Sequence, residues 1–346
     1  MTSLRGFRRW LPAALAAAAA ILAMPACGTA AGPLPTLTLS TENTPDHVQT
    51  RMLHRFAERL QVRLDGRVAV MVKDSAVLYS DRDVVEAVAA GRVDMAAPGL
   101  WHLDRYAPDF AVFLLPMFYG RDDAVNYGLR DGPVGTNLAR RLEAAVDVHV
   151  LGRWIDLGDA HVFTRGADLR TVDDLRGLRI RVAGGEGNAE RIRALGAEAT
   201  VIPWPDFPRA LGDGRVDGTL TTAATVVSAN LWRFGLDHAF LDRQYFPQYV
   251  PLVSGRLWAR LPADVRQAMT EVWDGLVDEA RLMAAEEQAS ALETLAANGV
   301  AIVRPRPADV AETRAALMAH QDAIVARLGL DAALVKTVAE ALERGP

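Results

Sequence analysis

The tetrapeptide Gly-Arg-Val-Asp occurs twice in this chain, beginning at Gly91 and again at Gly214, 123 positions later. The flanks match as well: Glu86–Met95 reads EAVAAGRVDM and Arg209–Gly218 reads RALGDGRVDG. In each copy a helix end meets a glycine stop and then the opening of a strand. The same junction built twice points to two similarly constructed α/β lobes. Lobes of this kind close by hinge motion on a ligand held between them. Asp94 and Asp217 are read as local capping and turn residues rather than catalytic ones.

The hydrophobic pattern along the first lobe agrees. Thr36–Ser40 alternates as a strand, Thr41–Asp46 is a polar loop with Asp46 as helix N-cap, and His47–Leu64 is an amphipathic helix ended by Gly66. Arg67–Val72 is the next strand, Ser80-Asp81 caps a helix over Arg82–Ala90, and Arg92–Ala97 is a third strand. Strand, helix, strand, helix, strand is the pattern of a parallel sheet. A helix over Val134–Ala145 and a strand at His149–Leu151 follow.

The second lobe contains the most informative stretch. Asp173–Val182 reads DDLRGLRIRV and Ala194–Gly218 reads ALGAEATVIPWPDFPRALGDGRVDG. Leu178–Val182 and Ala199–Ile202 are strands around a helical segment, Asn188–Leu195. Alternation puts Leu178, Ile180 and Val182 on one face and Arg179 and Arg181 on the other. An arginine near the C-terminal end of such a strand stands where α/β sheets hold their ligands, and its fork of donors suits a carboxylate or phosphate. A solvent-facing arginine on an edge strand fits the same pattern.

This stretch resembles the signature of the solute-binding proteins of TRAP (tripartite ATP-independent periplasmic) transporters, DctP type. The resemblance extends through the Gly-Arg-Val-Asp element and the apolar run Ala111–Phe118. It implies a two-lobed periplasmic-binding-protein fold of α/β class, a ligand cleft between the lobes, and a long C-terminal helix spanning both. It also implies that Arg181 pairs with the ligand's carboxylate and that Trp204 lines the pocket, although Trp204 is equally at home in a core. Thr221 stands where relatives commonly have asparagine, keeping a hydrogen-bonding oxygen but losing the amide's donor. His161 occupies the place of a second arginine; it either donates to an anion when protonated or caps a strand edge. Glu42, Asp81 and Trp101 fall on loops after strands or at helix starts facing the cleft, with helix capping the other reading of Asp81.

The domain plan that follows is an export signal over 1–26, a linker over 27–35, lobe I over 36–158 and lobe II over 159–246. Residues 247–285 return to lobe I and enter the spanning helix, and 286–346 pack on lobe II. Val250–Trp258 reads as the returning strand, Pro262–Ala297 as the long helix with a solvated, mixed-charge face, and Gly299–Pro305 as a strand. Helices follow over Pro307–Leu328 and Asp331–Arg344.

At the N-terminus, Arg5, Arg8 and Arg9 precede an apolar run from Leu11 to Met24, the form of an export signal and too short for a confident membrane span. The single cysteine, Cys27, falls where a bacterial lipoprotein signal places its lipid anchor; a cleaved, freely soluble form is the alternative. Arg8-Arg9 is compatible with a twin-arginine route as well as an ordinary basic leader. Without residues 1–26, 35 basic residues face 43 acidic ones, a poor balance for nucleic-acid binding. One cysteine excludes a disulfide framework within the chain and a multi-cysteine metal cluster.

No G-x-S-x-G, phosphate loop or H-E-x-x-H is present, and Gly184-Gly185-Glu186-Gly187 lacks the phosphate-cradling spacing. Neither an enzyme, nor a cofactor, nor a metal is called for. The expected role is an extracytoplasmic receptor for a small organic acid, handing it to the membrane permease of a TRAP transporter. Presentation of the solute to a signalling receptor is the rival reading.

Overall fold

The computed structural model describes residues 35–344; Cys27 and the export signal fall outside them. The first lobe is built from β1 (Thr36–Ser40), α1 (Val48–Arg63), β2 (Ala69–Lys73), α2 (Val84–Ala89), β3 (Met95–Ala96), α3 (Asp123–Arg130), α4 (Pro133–Ala145) and β4 (Val148–Val150). The chain then crosses through β5 (Ile155–Asp156) into β6 (Ala160–Thr164), β7 (Arg179–Val182), α5 (Glu186–Ala194), β8 (Glu198–Val201), α6 (Phe207–Gly212), β9 (Gly218–Thr222), α7 (Ala223–Ser228) and β10 (His238–Tyr245). It returns through β11 (Gln248–Tyr249) to β12 (Leu252–Ser254), α8 (Gly255–Arg260) and α9 (Ala263–Ala297). It ends with β13 (Ala301–Val303), α10 (Pro307–Leu328) and α11 (Ala332–Arg344).

Two mixed sheets result. The first has the order β2-β1-β3-β12-β4, with β1 parallel to β2 and β3, and β12 inserted antiparallel between β3 and β4. The second has the order β13-β10-β6-β9-β7-β8. Its β7 runs parallel to both β8 and β9, while β6 runs antiparallel to β9 and β10. Between the sheets, β5 and β11 pair antiparallel as a two-stranded ribbon. The two crossings made by strands therefore run side by side, which is the construction of a hinge.

The repeated tetrapeptide does the same job in each lobe. Asp94 accepts the backbone N–H of Thr38 on β1 through its carboxylate (2.8 Å) and donates its own N–H to the Thr38 carbonyl (3.1 Å). Asp217 accepts the N–H of Arg179 on β7 (2.8 Å) and donates its N–H back to the Arg179 carbonyl (2.8 Å). Each aspartate stitches the start of one strand to its parallel neighbour. Asp217 also takes the Arg179 guanidinium (2.6 Å), so of the two strand arginines only Arg181 is left to face the cleft.

Helix α9 has 35 residues and is roughly 50 Å long. Val265, Met269, Leu276 and Val277 join the main core, whereas Ala291 and Leu295 join a separate core of Phe163, Phe207 and Leu231 under the second sheet. One helix thus packs on α1 in the first lobe and on α7 in the second. Its charged face is solvated, as the sequence suggests, and laced with ion pairs. Arg51, Arg55, Arg59, Arg63 and Arg67 reach Glu287, Glu279, Glu271 and Asp264 as an antiparallel ladder. Residues 286–346 are shared between lobes. β13 extends the second sheet, α10 lies on α5 and on 116–118, and α11 packs on α3 and on 108–114.

Several local expectations give way. His47, not Asp46, caps α1, its Nδ1 accepting the N–H of Gln49 at 3.2 Å. Asp83 precedes α2 in place of Asp81, which turns inward instead. The segment after Ser254 is helical rather than a continued strand, and a Cβ on Gly255 would collide with Asp147.

Candidate functional site

A narrow cleft lies between the lobes at the ends of the parallel strands. Glu42, Asp81 and Trp101 line it from the first lobe, and Arg181, Trp204 and Thr221 from the second. The space left between them is about 30 Å³, so a solute of several carbons enters only as the walls part.

Arg181 sits on β7 and is 1% exposed. Its Nε donates to the Ile202 carbonyl at 2.9 Å, while Nη2 is buried without a partner. The guanidinium stacks over Phe207 (4.8 Å) and near Trp204 (5.7 Å), which fix its plane. Burial lowers its pKa to about 10, with Asp81 opposing that shift, so it is charged at neutral pH. A buried cation with an unpaired donor is costly unless an anion completes it.

Asp81 reaches across the cleft. Its carboxylate accepts the backbone N–H of Trp204 at 3.1 Å and lies 3.5 Å from Nε2 of His102. Burial alone would raise its pKa, but the adjacent His102 ring, then Arg181 and the Trp204 N–H, hold it below the usual carboxylate range. Glu42 behaves oppositely. Burial, reinforced by the charge of Asp81, pushes it up to about 8 despite a 3.0 Å hydrogen bond from Asn43 Nδ2.

The aromatic wall comes from both sides of the hinge ribbon. Trp101 meets Tyr249 edge-on (5.4 Å) and Tyr245 edge-on (6.1 Å), and its Nε1 is buried without a partner. The turn Gly184–Gly187 passes directly over this wall. Gly185 has φ +80°, and a Cβ there would stand 3.0 Å from Trp101 Cβ; one on Gly184 would stand 2.9 Å from the His102 ring. Those glycines serve close approach between lobes, not phosphate binding.

His161 is not part of the cleft lining. It lies on β6 opposite Thr221 of β9, and its Nδ1 accepts the backbone N–H of Arg243 at 3.0 Å. Burial, with Arg243 and Arg304 nearby, drives its pKa down to about 3. A neutral imidazole that already accepts at Nδ1 does not replace an arginine; it ties β6, an interior strand, to β10 where their register shifts. The sequence reading missed Tyr245, Tyr249 and Asn43. The run Tyr245-Phe246-Pro247-Gln248-Tyr249 was the available signal, a cluster of aromatics at a lobe crossing. It also missed His47, whose Nε2 meets Thr225 Oγ1 across the cleft at 3.3 Å.

A larger depression, about 600 Å³, lies between α5 and α10. Its charges are satisfied internally, Glu190 by Arg193 and Arg327, and Asp173 by Arg176. Among the described residues no group of three or more His, Cys, Asp or Glu is placed to hold a metal ion, and no helix is long and apolar enough to cross a membrane.

Residues 39–327 match the family model described as bacterial extracellular solute-binding protein, family 7 (DctP). The chain belongs to the DctP family. Among curated relatives, the C4-dicarboxylate-binding periplasmic protein DctP of Rhodobacter capsulatus is 29% identical over 255 residues, 72% of this chain and 74% of that one. Among solved structures, the sugar acid binding protein DctPAm of Advenella mimigardefordensis, in complex with galactonate, superposes with a TM-score of 0.85 at 19% identity, covering 90% of this chain and 99% of that one. A TRAP periplasmic solute binding protein of Sulfurospirillum deleyianum with bound succinate gives 0.80 at 22% identity, covering 88% and 97%. DctP proteins are TRAP-type solute receptors, not enzymes, and the two-lobed α/β architecture is theirs.

Proposed function

We propose that this chain captures a small organic acid in the interlobe cleft, with the solute's carboxylate on Arg181, and delivers it to the permease of a TRAP transporter. The observation that carries the reading is the buried Nη2 of Arg181, a charged donor without a protein partner in a cleft lined from both lobes. A carboxylate there completes the guanidinium in the charge-assisted geometry that arginine favours. Trp204 and Trp101 supply flat apolar surface for the body of the solute, and Thr221 a hydroxyl. Relatives of the same fold described with galactonate, succinate and glucuronate support an acid as the ligand. The basic and apolar N-terminal segment supports export, and Cys27 a lipid anchor on the outer face of the membrane.

A thermal-shift screen of residues 28–346 against organic acids, amino acids and sugars tests the reading. A solute at a hundred times its Kd adds about 2.7 kcal/mol. Stabilisation by carboxylates that is lost in Arg181→Ala supports it; hits confined to uncharged solutes, equal in both proteins, sink it.

A further inference from the structure

Two buried hydrogen-bond donors that line the cleft are without partners, and they come from opposite lobes. One is Nη2 of Arg181; the other is Nε1 of Trp101, a residue only 6% exposed. Among the described residues that line the cleft, no buried side-chain acceptor is left over in the same way.

Both donors are held in one corner. Trp101 meets Tyr249 and Tyr245 edge-on, and the same two tyrosines act on the charge of Arg181. The indole lies with Cε2 against Gly99 of the first lobe. Its Cδ1 faces Gly184 of the second, 3.4 Å from where a Cβ would stand. Nε1 is the ring atom between those two carbons. The N–H therefore lies at the seam between the lobes, beside a glycine three residues after Arg181.

An indole N–H donates and cannot accept. Buried and unpaired it costs free energy, which an oxygen in the cleft recovers. A solute with its carboxylate on Arg181 brings its next carbons to this seam. A hydroxyl or keto oxygen there offers lone pairs, and a methylene offers none. An ammonium offers none either, and it sets a second cation beside Arg181.

We propose that Trp101 Nε1 is a solute-binding donor that takes a hydroxyl or keto oxygen on the second or third carbon of an acid anchored on Arg181, and so selects hydroxy and oxo acids over the corresponding unsubstituted and amino acids. This rests on the assignment of Arg181 as carboxylate anchor. One solute then bridges a donor from each lobe, so the bond that selects also favours the closed state. The fold itself leaves the choice open, since neighbours are described with (S)-2-hydroxy-2-methyl-3-oxobutanoate and with succinate.

Calorimetric titration of lactate, propionate, 3-hydroxybutyrate, butyrate and alanine into the parent protein and Trp101→Phe decides the matter. Phenylalanine keeps an aromatic face and removes the N–H. In the parent, lactate over propionate or 3-hydroxybutyrate over butyrate should be preferred by about tenfold, and lactate should bind more tightly than alanine. In Trp101→Phe that preference should shrink to within about twofold. A packing role would weaken every acid by the same factor and leave the ratio where it was. The indole N–H resonances of the parent read the same bond even if Trp101→Phe does not fold. One signal should move downfield with the preferred hydroxy acid and stay in place with its unsubstituted counterpart. Equal affinities within both pairs, a ratio unchanged in Trp101→Phe, alanine preferred to lactate, or no indole signal that separates the two acids overturns the proposal and leaves Arg181 as anchor. Binding of no carboxylate at all overturns both.

Discussion

The carboxylate of Asp81, on the first lobe, accepts the backbone N–H of Trp204, on the second, at 3.1 Å. It also compensates Arg181 electrostatically. Asp81 therefore links closure to the charge state of the anchor. Hydrogen bonds to a charged group contribute about 1.5–3 kcal/mol. Asp81→Ala is expected to shift the lobes toward separation by about that amount, read as a larger radius of gyration in small-angle scattering. An unchanged radius would mean that packing of Trp101 against the glycine turn holds the lobes alone.

Arg181→Lys separates charge from geometry. Lysine keeps the cation but loses the planar fork and the stacking over Phe207. Arg181→Ala should weaken an anionic solute by about 2–5 kcal/mol, the cost of truncating a buried charge pair. The lysine variant should fall between the parent and the alanine variant. If lysine restores full affinity in calorimetry, Arg181 acts as a point charge and the bidentate account fails.

Much of the fold was legible because local signals agreed with one another. The two Gly-Arg-Val-Asp junctions announced parallel strands in two lobes, and the alternation around Ile180 placed Arg181 on its strand. The long helix followed from apolar spacing after Pro262. What the sequence could not show depended on which chain segments meet. Asp81 looked like a cap because capping is local, whereas its actual partners, His102 and Trp204, come from other elements. His161 looked like a substitute arginine because alignment assigns positions, not orientation. Its ring is tied to Arg243 on the far side of β6. Tyr249 entered the site through the hinge ribbon, whose two-residue strands are too short to carry a periodic signal, and Tyr245 ends β10 just before it.

Gly185 tests the glycine turn. With φ +80° and Trp101 Cβ, Leu114 Cδ1 and the Trp101 carbonyl oxygen all near 3.0–3.1 Å from a new Cβ, Gly185→Ala is strained twice, by backbone and by contact. Such strain costs about 1–3 kcal/mol. Urea unfolding should show that loss, and solute binding should weaken with it as Trp101 is displaced. A variant as stable as the parent would refute the close-approach reading.

Asp242 predicts how stability responds to pH. Burial pushes its carboxyl up to about 7, against hydrogen bonds from Gln244 and Tyr119 and the charge of Arg191. The folded chain then retains a proton that the unfolded chain releases above its ordinary carboxylate range. Its contribution to stability is therefore intact below about pH 4 and declines as pH rises to about 7, then levels off. Glu42, pushed up to about 8, slopes the same way. Asp242→Asn should flatten part of this decline and be the more stable protein at pH 8, by on the order of a few kcal/mol at most. Parallel stability curves for parent and variant between pH 4 and 8 would count against a protonated Asp242.

At the hinge, Arg130 and Asp156 form an ion pair with both side chains almost wholly buried, Nη2 to Oδ2 at 2.7 Å. Asp156 lies on β5, one of the two crossing strands, and also accepts the N–H of Gly158 at 3.2 Å. Arg130 lies over the Tyr127 ring (4.4 Å), while its Nε and Nη1 have no hydrogen-bond partner. Burial lowers the arginine's pKa, and Asp156 opposes that. Removing one partner strands the other in a low-dielectric site, so Asp156→Ala should cost about 3–5 kcal/mol. Removing both at once should not. Arg130→Met with Asp156→Leu replaces the pair by apolar volume and is expected to recover most of that loss in urea unfolding. If the double variant is as unstable as the single, the pair contributes net stability rather than orienting the crossing strands. If it is stable but binds solute with altered affinity, the pair's main role is to set the hinge.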